Sequence, residues 1–529
     1  MPLKNMVARP VTRAVFLNYH EFCLIRHHFP KTLLIFRKIY YRSDILLLNK
    51  IKAAFAKSGG TAAISVFGLA SQQIASFVIT LLAASFLTAA DYGTYTIAII
   101  AVEFVIMLTH CGYYHFLVNS EKDETAVLST VFWIMLAIGV VGGAAMYLGS
   151  NWLAHLFHAP DLAPVLRYFG VFQPFVSIIG WASAVLTRMG LMKRFFLILI
   201  AGNLGGLLVG CVILVVWQSL FALVAYRGIR TALELVLFIA ACPARPTMRF
   251  DRKLAYEGLK FSSGLYGSRL LSFLANFGTD LILAYALSTT EAGLYRFANR
   301  LATGTVDIIA QPLRSFAIKM FGAASRLSEP LDPIFKIMLG GSVFLTGGFA
   351  IAISALGSGA VETFFRPEYA ASIGTLYAFA LRAVARTGND LIEPVFAARR
   401  KTQITLHTNV LWTSLMLGTI VIFAPMGFET IAWAQAGVQV LSFFGSLLVF
   451  KHWGRINLRV AMPPLVTGVA LLCAYGVAVL LGIILINSLD IAQTLRFSLA
   501  TALSLGLAAP TIYFGIKSDV LDMQIFESR

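Results

Sequence analysis

Long apolar runs alternate with short polar turns along most of this chain. A run of about 20 apolar residues is long enough, as a helix, to cross the roughly 30 Å hydrocarbon core of a bilayer. Fourteen runs of this kind occur. The predicted helices cover 59–87, 93–117, 127–149, 163–187, 195–216, 219–241, 261–287, 293–317, 337–357, 370–393, 404–424, 430–450, 461–486 and 495–516. The pattern therefore predicts an all-α polytopic membrane protein with about fourteen transmembrane helices.

Composition supports the same class. Hydrophobic residues make up 58% of the 529 residues and charged residues 13%, whereas charged residues are about 25% of a typical soluble domain. The five cysteines are scattered without the spacing of a metal or redox site, so we interpret them as small core residues.

Positive charge is distributed unevenly between the two sets of loops. If the N-terminus is cytoplasmic, the inward loops contain eighteen Lys or Arg and the outward loops contain only Arg366. Lys and Arg are retained on the cytoplasmic side, so the bias predicts cytoplasmic N- and C-termini. The net charge of +17 is then mostly a topology signal and gives no reason to expect nucleic acid as a partner.

One short stretch occurs twice, 200 positions apart. Residues 84–98 read ASFLTAADYGTYTIA and residues 284–298 read AYALSTTEAGLYRFA. Both reach a Gly-x-Tyr step, at Gly93 and Gly293, just after an acid suited to capping a helix, Asp91 or Glu291. Six predicted helices separate the copies, an even number. Two six-helix lobes related by an axis along the membrane normal are therefore expected.

This repeat divides the chain into six predicted regions. They are a basic N-terminal segment (1–57), an N-lobe of helices 1–6 (58–241), a basic cytoplasmic linker (242–260), a C-lobe of helices 7–12 (261–450), helices 13 and 14 (451–516) and a cytoplasmic tail (517–529). The first segment holds eleven Lys or Arg against Glu21 and Asp44. It is consistent with a helix lying on an anionic inner leaflet and equally with a basic tail.

Ionisable side chains recur inside the predicted helices and align on one face of each. Helix 8 carries Arg296, Arg300, Asp307 and Arg314 within about 40° of one another, at 100° per residue. Similar polar stripes occur on helices 1, 2, 6, 7 and 10. A charge in the bilayer normally faces a partner or a cavity, since exposing it to lipid costs at least about 2.5 kcal/mol. So many stripes predict a hydrated central cavity.

Arginine dominates the stripes of the second lobe. Guanidinium stays charged and matches phosphate oxygens in paired geometry, so these side chains predict an anionic substrate such as a diphosphate. The predicted diphosphate-binding residues are Arg269, Arg296, Arg300, Arg382 and Arg386. The candidates for ion coupling, or for polar lining of the cavity, are Glu103, Glu234, Asp280 and Asp307. A structural role stays open for each, for example in an ion pair of Arg227 with Glu234 or of Arg269 with Asp280.

Motifs for nucleotide hydrolysis and metal catalysis are missing from the sequence. It contains no G-x-x-x-x-G-K-[ST] loop, no H-E-x-x-H and no Cys-x-x-Cys. We therefore expect no ATP hydrolysis, no cofactor and no metal, and we expect a transporter rather than an enzyme.

Several stretches resemble the polysaccharide transporters, the oligosaccharide flippases of the multidrug/oligosaccharidyl-lipid/polysaccharide exporter superfamily. The resemblance covers roughly residues 53–450; its motifs lie at 53–77, in both copies of the repeat, and in FFRPEYAAS at 364–372. Arg366 departs from the glycine expected there. The resemblance implies alternating access and export of undecaprenyl-diphosphate-linked oligosaccharide across the bacterial inner membrane, for O-antigen, capsule or exopolysaccharide. Fourteen helices resemble the lipid II flippase branch, in which the last two help form a groove for the lipid tail.

Partners implied by this resemblance are the lipid-linked glycan, membrane lipid, and a polymerase and co-polymerase of the same pathway. Two alternatives remain open. A cation antiporter of the multidrug and toxic compound extrusion type would need acids to dominate the cavity, whereas arginine dominates here. A membrane glycan polymerase or ligase usually needs a large external loop, and the outward loops here are short.

Overall fold

A computed structural model describes residues 64–521, apart from 66, 121–123, 328, 490 and 519. The predicted segment 1–57 lies outside the described residues, as does most of the predicted tail. Thr61–Asp522 form one compact unit.

The described residues are helical throughout and contain no strand, which confirms the all-α class. A short helix, Ile392–Ala398, follows the long helix Ile373–Asp390. The long helices are α1 (Phe67–Phe86), α2 (Ala89–Asn119), α3 (Glu124–Leu156), α4 (Leu162–Arg188), α5 (Met192–Trp217), α6 (Leu220–Ala241), α7 (Arg252–Ala286), α8 (Thr289–Arg326), α9 (Asp332–Phe364), α10 (Ile373–Asp390), α11 (Thr402–Phe423), α12 (Phe428–His452), α13 (Leu458–Asn487) and α14 (Gln493–Lys517).

Ten of the described helices are long and apolar enough to cross a membrane by length and composition. The other four long helices are α6, α7, α8 and α10. All four carry the charged stripes identified in the sequence, and charge lowers the mean hydropathy of any window that contains it. The protein is a multi-pass membrane protein, and the number of fourteen spans stays a prediction.

Several helices extend well beyond their predicted apolar windows, among them α7, α8 and α9. α7 begins at Arg252 rather than at 261, because the Asp251 side chain accepts hydrogen bonds from the Lys253 and Leu254 amides and so caps the helix. α8 continues to Arg326 rather than ending at 317. Charged residues such as Lys253 and Arg326 are good helix formers, but they do not register in a search for apolar runs.

The two copies of the repeat pack against each other. A Cβ atom added at Gly93 would lie 1.9 Å from the Thr289 carbonyl oxygen, and one added at Gly293 would lie 2.0 Å from the Ala89 carbonyl oxygen. Glycine at both positions therefore lets the first turns of α2 and α8 meet backbone to backbone. We call this the repeat contact, defined by Gly93 and Gly293.

Hydroxyl side chains, rather than the predicted acids, provide the N-caps at the repeat contact. The Thr88 hydroxyl oxygen accepts a hydrogen bond from the Asp91 amide, and the Asp91 carboxylate accepts one from the Thr88 amide, which forms a capping box. The Ser288 hydroxyl caps α8 by accepting from the Glu291 amide. Asp91 and Glu291, predicted as caps, lie instead in the first turns, because the helices begin at Ala89 and Thr289 rather than at 93 and 293.

A segment of the second half is tied to the turn between α1 and α2. The Glu368 Oε1 atom accepts from the Ala89 amide at 2.9 Å, and the Tyr369 hydroxyl donates to the Leu87 carbonyl at 3.3 Å. Arg366 donates from Nη1 to the Phe86 carbonyl at 3.2 Å. The arginine that departs from the expected glycine therefore binds the backbone of the first half and strengthens the repeat contact.

The far end of α2 also touches the second half. The helix widens into a π-helical turn at His110–Tyr114, where an added Cβ on Gly112 would lie 2.3 Å from the Ser262 Oγ atom. The Tyr266 hydroxyl donates to the Leu108 carbonyl at 2.7 Å in the same region. α2 thus contacts the second half near both of its ends, and the space between these contacts is available for a cavity.

We expect Gly93→Ala to disrupt the repeat contact. The new methyl group would overlap the Thr289 carbonyl, and overpacking of this kind typically costs about 1–3 kcal/mol. The measurement is the melting temperature of the purified protein in detergent. Gly437→Ala is the matched control, because no atom lies within 4 Å of the position its Cβ would take. Equal melting temperatures for the two variants would contradict the assigned close approach.

Candidate functional site

A cavity of about 160 Å³ lies between the two halves, with walls from α1, α2, α6, α7 and α8. We call it cavity A. Its charged lining residues are Glu103, Arg227, Arg230, Arg296 and Arg300. Tyr92, Tyr95 and Tyr226 add hydroxyl groups to the wall. Polar side chains of five helices thus line this one cavity, and its role as the arginine-lined substrate cavity stays a prediction.

Three of the four arginines in cavity A are paired with acids. Arg227 on α6 contacts Glu103 on α2, with 3.2 Å between Nη2 and Oε1. Arg230 contacts Glu234 one helical turn away, with 2.9 Å between Nε and Oε1. These pairs differ from the pairing of Arg227 with Glu234 that the sequence left open. The charges of both arginines are therefore largely balanced within the first half.

The third pair is the most deeply buried. Arg296 on α8 donates from Nη1 to Asp280 Oδ2 on α7 at 2.9 Å, and the two residues are only 8% and 1% exposed. The Arg296 guanidinium also lies 5.4 Å from the centre of the Phe277 ring. Arg296, rather than Arg269, is thus the partner of Asp280.

Arg300 differs from the other arginines of cavity A. Among the residues that the structure describes, no acid lies within the 4.0 Å that defines an ion pair for its guanidinium. Its side chain is partly buried, one helical turn along α8 from Arg296. The cavity therefore has one positive charge in excess of its paired acids, and a guanidinium free to bind an anion.

A second cavity of about 230 Å³, cavity B, lies wholly within the second half. α7, α8, α10, α11 and α12 provide its walls, and its charged lining residues are Asp280, Arg382 and Arg386. Arg386 is paired with Asp307 and Asp390, with 3.5 Å to the latter. Arg382 instead donates to two amide oxygens, those of Gln435 and Asn299.

The five predicted diphosphate-binding arginines are thus distributed over three places. Arg296 and Arg300 line cavity A, and Arg382 and Arg386 line cavity B. Arg269 is exposed and is not among the residues lining either cavity. A rotation of 100° per residue predicts which residues share a helix face. It does not predict which neighbouring helices pack against that face.

The four predicted coupling acids are each paired with an arginine. Glu103, Glu234, Asp280 and Asp307 contact Arg227, Arg230, Arg296 and Arg386, respectively. Only Glu103 lines cavity A and only Asp280 lines cavity B. In this structure each candidate coupling acid is thus engaged in an ion pair, and a role in ion coupling stays a prediction.

Arg230 is a lining residue that the sequence prediction missed. It lies three residues after Arg227 and four before Glu234, so all three share one face of α6. This spacing was the available signal. The tyrosines of α2, Tyr92 and Tyr95, gave no comparable signal because aromatic residues are common throughout apolar helices.

The fold is that of a polytopic helical membrane protein with polar cavities between its helices. A family model described as "Polysaccharide biosynthesis protein" matches residues 82–374. The chain therefore belongs to the polysaccharide biosynthesis protein family, which confirms the resemblance to oligosaccharide flippases found in the sequence.

Two curated relatives agree with this assignment. The succinoglycan biosynthesis transport protein ExoT of Rhizobium meliloti (strain 1021) is 22% identical over 296 residues, or 56% of this chain. The chain spans 60% of that relative's length. The lipopolysaccharide biosynthesis protein WzxC of Escherichia coli (strain K12) is 19% identical over 64% of this chain and 69% of its own.

Solved structures share the fold at low identity. The lipid II flippase MurJ in an inward closed conformation aligns with a TM-score of 0.66 and 12% identity, covering 85% of this chain and 98% of its own. An inward-facing multidrug resistance transporter of the MATE family aligns with a TM-score of 0.60 and 12% identity. The alignment covers 74% of this chain and 94% of that transporter. The similar proteins are transporters and flippases, so the prediction of a transporter rather than an enzyme is confirmed.

Separate removal of Arg296 or Asp280 should destabilise the protein. Arg296→Gln or Asp280→Asn leaves the partner charge buried, which typically costs about 3–5 kcal/mol, and the double variant should recover part of the loss. Thermal unfolding in detergent measures the effect. The control is Arg314→Gln, whose pair with Glu393 is half exposed and is expected to contribute at most about 1 kcal/mol. Single variants no less stable than this control would refute a structural role for the buried pair.

Proposed function

We propose that this protein is a flippase that moves undecaprenyl-diphosphate-linked oligosaccharide from the inner to the outer leaflet of the bacterial inner membrane. The product would supply O-antigen, capsule or exopolysaccharide assembly. The observation that carries this proposal is Arg300, a partly buried guanidinium in cavity A without an acidic partner among the described residues. An anionic diphosphate would compensate its charge through paired, charge-assisted hydrogen bonds.

Arg296 is the second proposed ligand of the diphosphate. It lines cavity A beside Arg300, and its hydrogen bond to Asp280 uses the Nη1 atom. Its present partner, Asp280, keeps its charge compensated while no substrate is bound. Arg227 and Arg230 are paired with acids, so the excess positive charge of cavity A is that of Arg300.

The contacts of α2 fit alternating access. Cavity A lies along α2 between the repeat contact and the contact of Gly112 with Ser262. Each contact joins the first half to the second, so opening one while the other holds would expose the cavity to one side of the membrane at a time. We propose that the repeat contact is the outward one, because the charge bias places the start of α2 outside.

A long groove on the second half suits the polyprenyl tail. It has a volume of about 500 Å³ and is lined by apolar and small residues of α9, α10 and α13, such as Ile351, Leu381 and Leu472. Such a groove would let the tail remain in an apolar environment while the polar head passes through the cavity. A polymerase and co-polymerase of the same pathway are the proposed partners of the flippase.

The cation antiporter remains the second candidate because a MATE transporter shares the fold. A cationic substrate would need unpaired acids facing the cavity. The acid that lines cavity A, Glu103, is instead paired with Arg227. The cavity chemistry therefore favours an anion over a cation.

We expect Arg300→Gln to abolish most glycan export in cells. A lost charge-assisted hydrogen bond costs about 1.5–3 kcal/mol, so the purified variant should bind undecaprenyl diphosphate about 10- to 100-fold more weakly. Export is measured as surface polysaccharide in a strain that lacks the chromosomal copy, normalised to protein in the membrane. Lipid-linked glycan should accumulate in the inner leaflet.

Arg252→Gln is the matched control for this test. Arg252 is an exposed arginine at the start of α7 and lines neither cavity, so both export and affinity should stay at the wild-type level. Wild-type export by Arg300→Gln at normal abundance would overturn the assigned role of Arg300.

A further inference from the structure

Cavity B has a rigid, hydrogen-bonded floor. Arg382 donates from Nη1 to Gln435 Oε1 at 2.7 Å and from Nη2 to Asn299 Oδ1 at 2.9 Å. The Tyr295 hydroxyl donates to the same Gln435 oxygen at 2.6 Å, and Gln435 Nε2 donates to Thr279 Oγ1 at 3.0 Å. These side chains fix one another's orientation through their hydrogen bonds. The floor is therefore preorganised, and its hydrogen bonds form without a ligand.

Other groups of the cavity wall have no such partners. The Trp412 Nε1 and Gln439 Nε2 donors and the Asn389 Oδ1 and Asp280 Oδ1 acceptors are buried, and none has a hydrogen-bond partner within the part of the chain that the structure describes. Gln439 is 6% exposed and Asp280 is 1% exposed. A fifth such atom, Arg386 Nε, lies 3.5 Å from Asp390 Oδ2 and is paired by charge. Native proteins leave few buried polar atoms unpaired, so the other four point to a bound polar molecule.

The four groups specify the chemistry of that molecule. Two are donors and two are acceptors, and hydroxyl groups can both donate and accept. Trp412 also adds the apolar atoms of its indole to the cavity lining. A ring that carries several hydroxyl groups and has one apolar face meets all of these demands.

We propose that cavity B is a carbohydrate subsite, which holds the sugar ring next to the diphosphate while cavity A holds the diphosphate. This rests on the proposed function. The volume of about 230 Å³ suits one sugar ring rather than an oligosaccharide chain. In this proposal Gln439 Nε2 donates to a ring hydroxyl, and Asn389 Oδ1 accepts from one while Asn389 Nδ2 stays bonded to Ser442.

The buried ion pair connects the two subsites. Arg296 lines cavity A and its partner Asp280 lines cavity B, so the pair forms part of the wall between the cavities. A diphosphate that binds Arg296 competes with Asp280 for the guanidinium. Asp280 then turns to a sugar hydroxyl, so that one substrate with adjacent diphosphate and sugar satisfies both partners of the pair.

Charge in cavity B argues against a metal cation as its occupant. Its charged lining residues are two arginines and one acid, and that acid is already paired with Arg296. A cation would lie among guanidinium groups without a free carboxylate to offset the repulsion. Neutral hydroxyl groups carry no such penalty.

The test uses the full-length protein in nanodiscs and two probes measured by calorimetry. One probe is undecaprenyl diphosphate. The other is the oligosaccharide released by mild acid from the lipid-linked intermediate that accumulates in a strain lacking the protein. Trp412→Leu and Gln439→Leu should each weaken oligosaccharide binding about tenfold or more and leave undecaprenyl diphosphate binding unchanged. Arg300→Gln should do the reverse.

Trp433→Leu is the matched control, since Trp433 is 45% exposed on α12 and lines neither cavity. If Trp412→Leu fails to fold, Trp412→Phe keeps an aromatic face, removes the free donor, and should give a smaller loss. Wild-type oligosaccharide affinity in the folded Trp412 and Gln439 variants would overturn the subsite, as would no oligosaccharide binding by the wild type. Diphosphate binding that is insensitive to Arg300→Gln would instead contradict the proposed function.

Discussion

The buried ion pair between Arg296 and Asp280 is the interaction on which the arrangement of both cavities depends. It joins α8 to α7 at the boundary between cavity A and cavity B, with both side chains almost fully buried. A single charge at this depth would be very unfavourable, so neither partner is tolerated without the other. The pair therefore keeps the site intact without substrate and offers two charged groups that a substrate can separate.

The same constraint explains the pattern of pairing around it. Arg227, Arg230 and Arg386 each contact an acid, and Arg382 is held by two amide oxygens instead. Arg300 lacks such an acidic partner among the described residues, which makes it the point where an anion gains most from binding. The net charge of cavity A thus depends on the unpaired charge of Arg300 rather than on the number of arginines in its lining.

Close backbone contact at the repeat positions α2 against the second half beside cavity A. Gly93 and Gly293 let the first turns of α2 and α8 meet, and the Gly112 region holds the other end of α2 to α7. One helix is therefore fixed to the second half on both sides of cavity A. The proposed alternating access would open one of these two contacts at a time.

The sequence by itself determined the helical class, the approximate helix positions, the repeat and the abundance of arginine in the second half, because each depends on local apolar runs or spacing. It also identified Arg296 and Arg300 as cavity residues from their shared helix face. Tertiary structure alone decided that Asp280 pairs with Arg296, that Arg269 lies outside both cavities, and that Arg230 lines cavity A. Helical periodicity fixes the direction of a side chain from its own axis, whereas ion pairs and cavity walls depend on which other helix packs against that face.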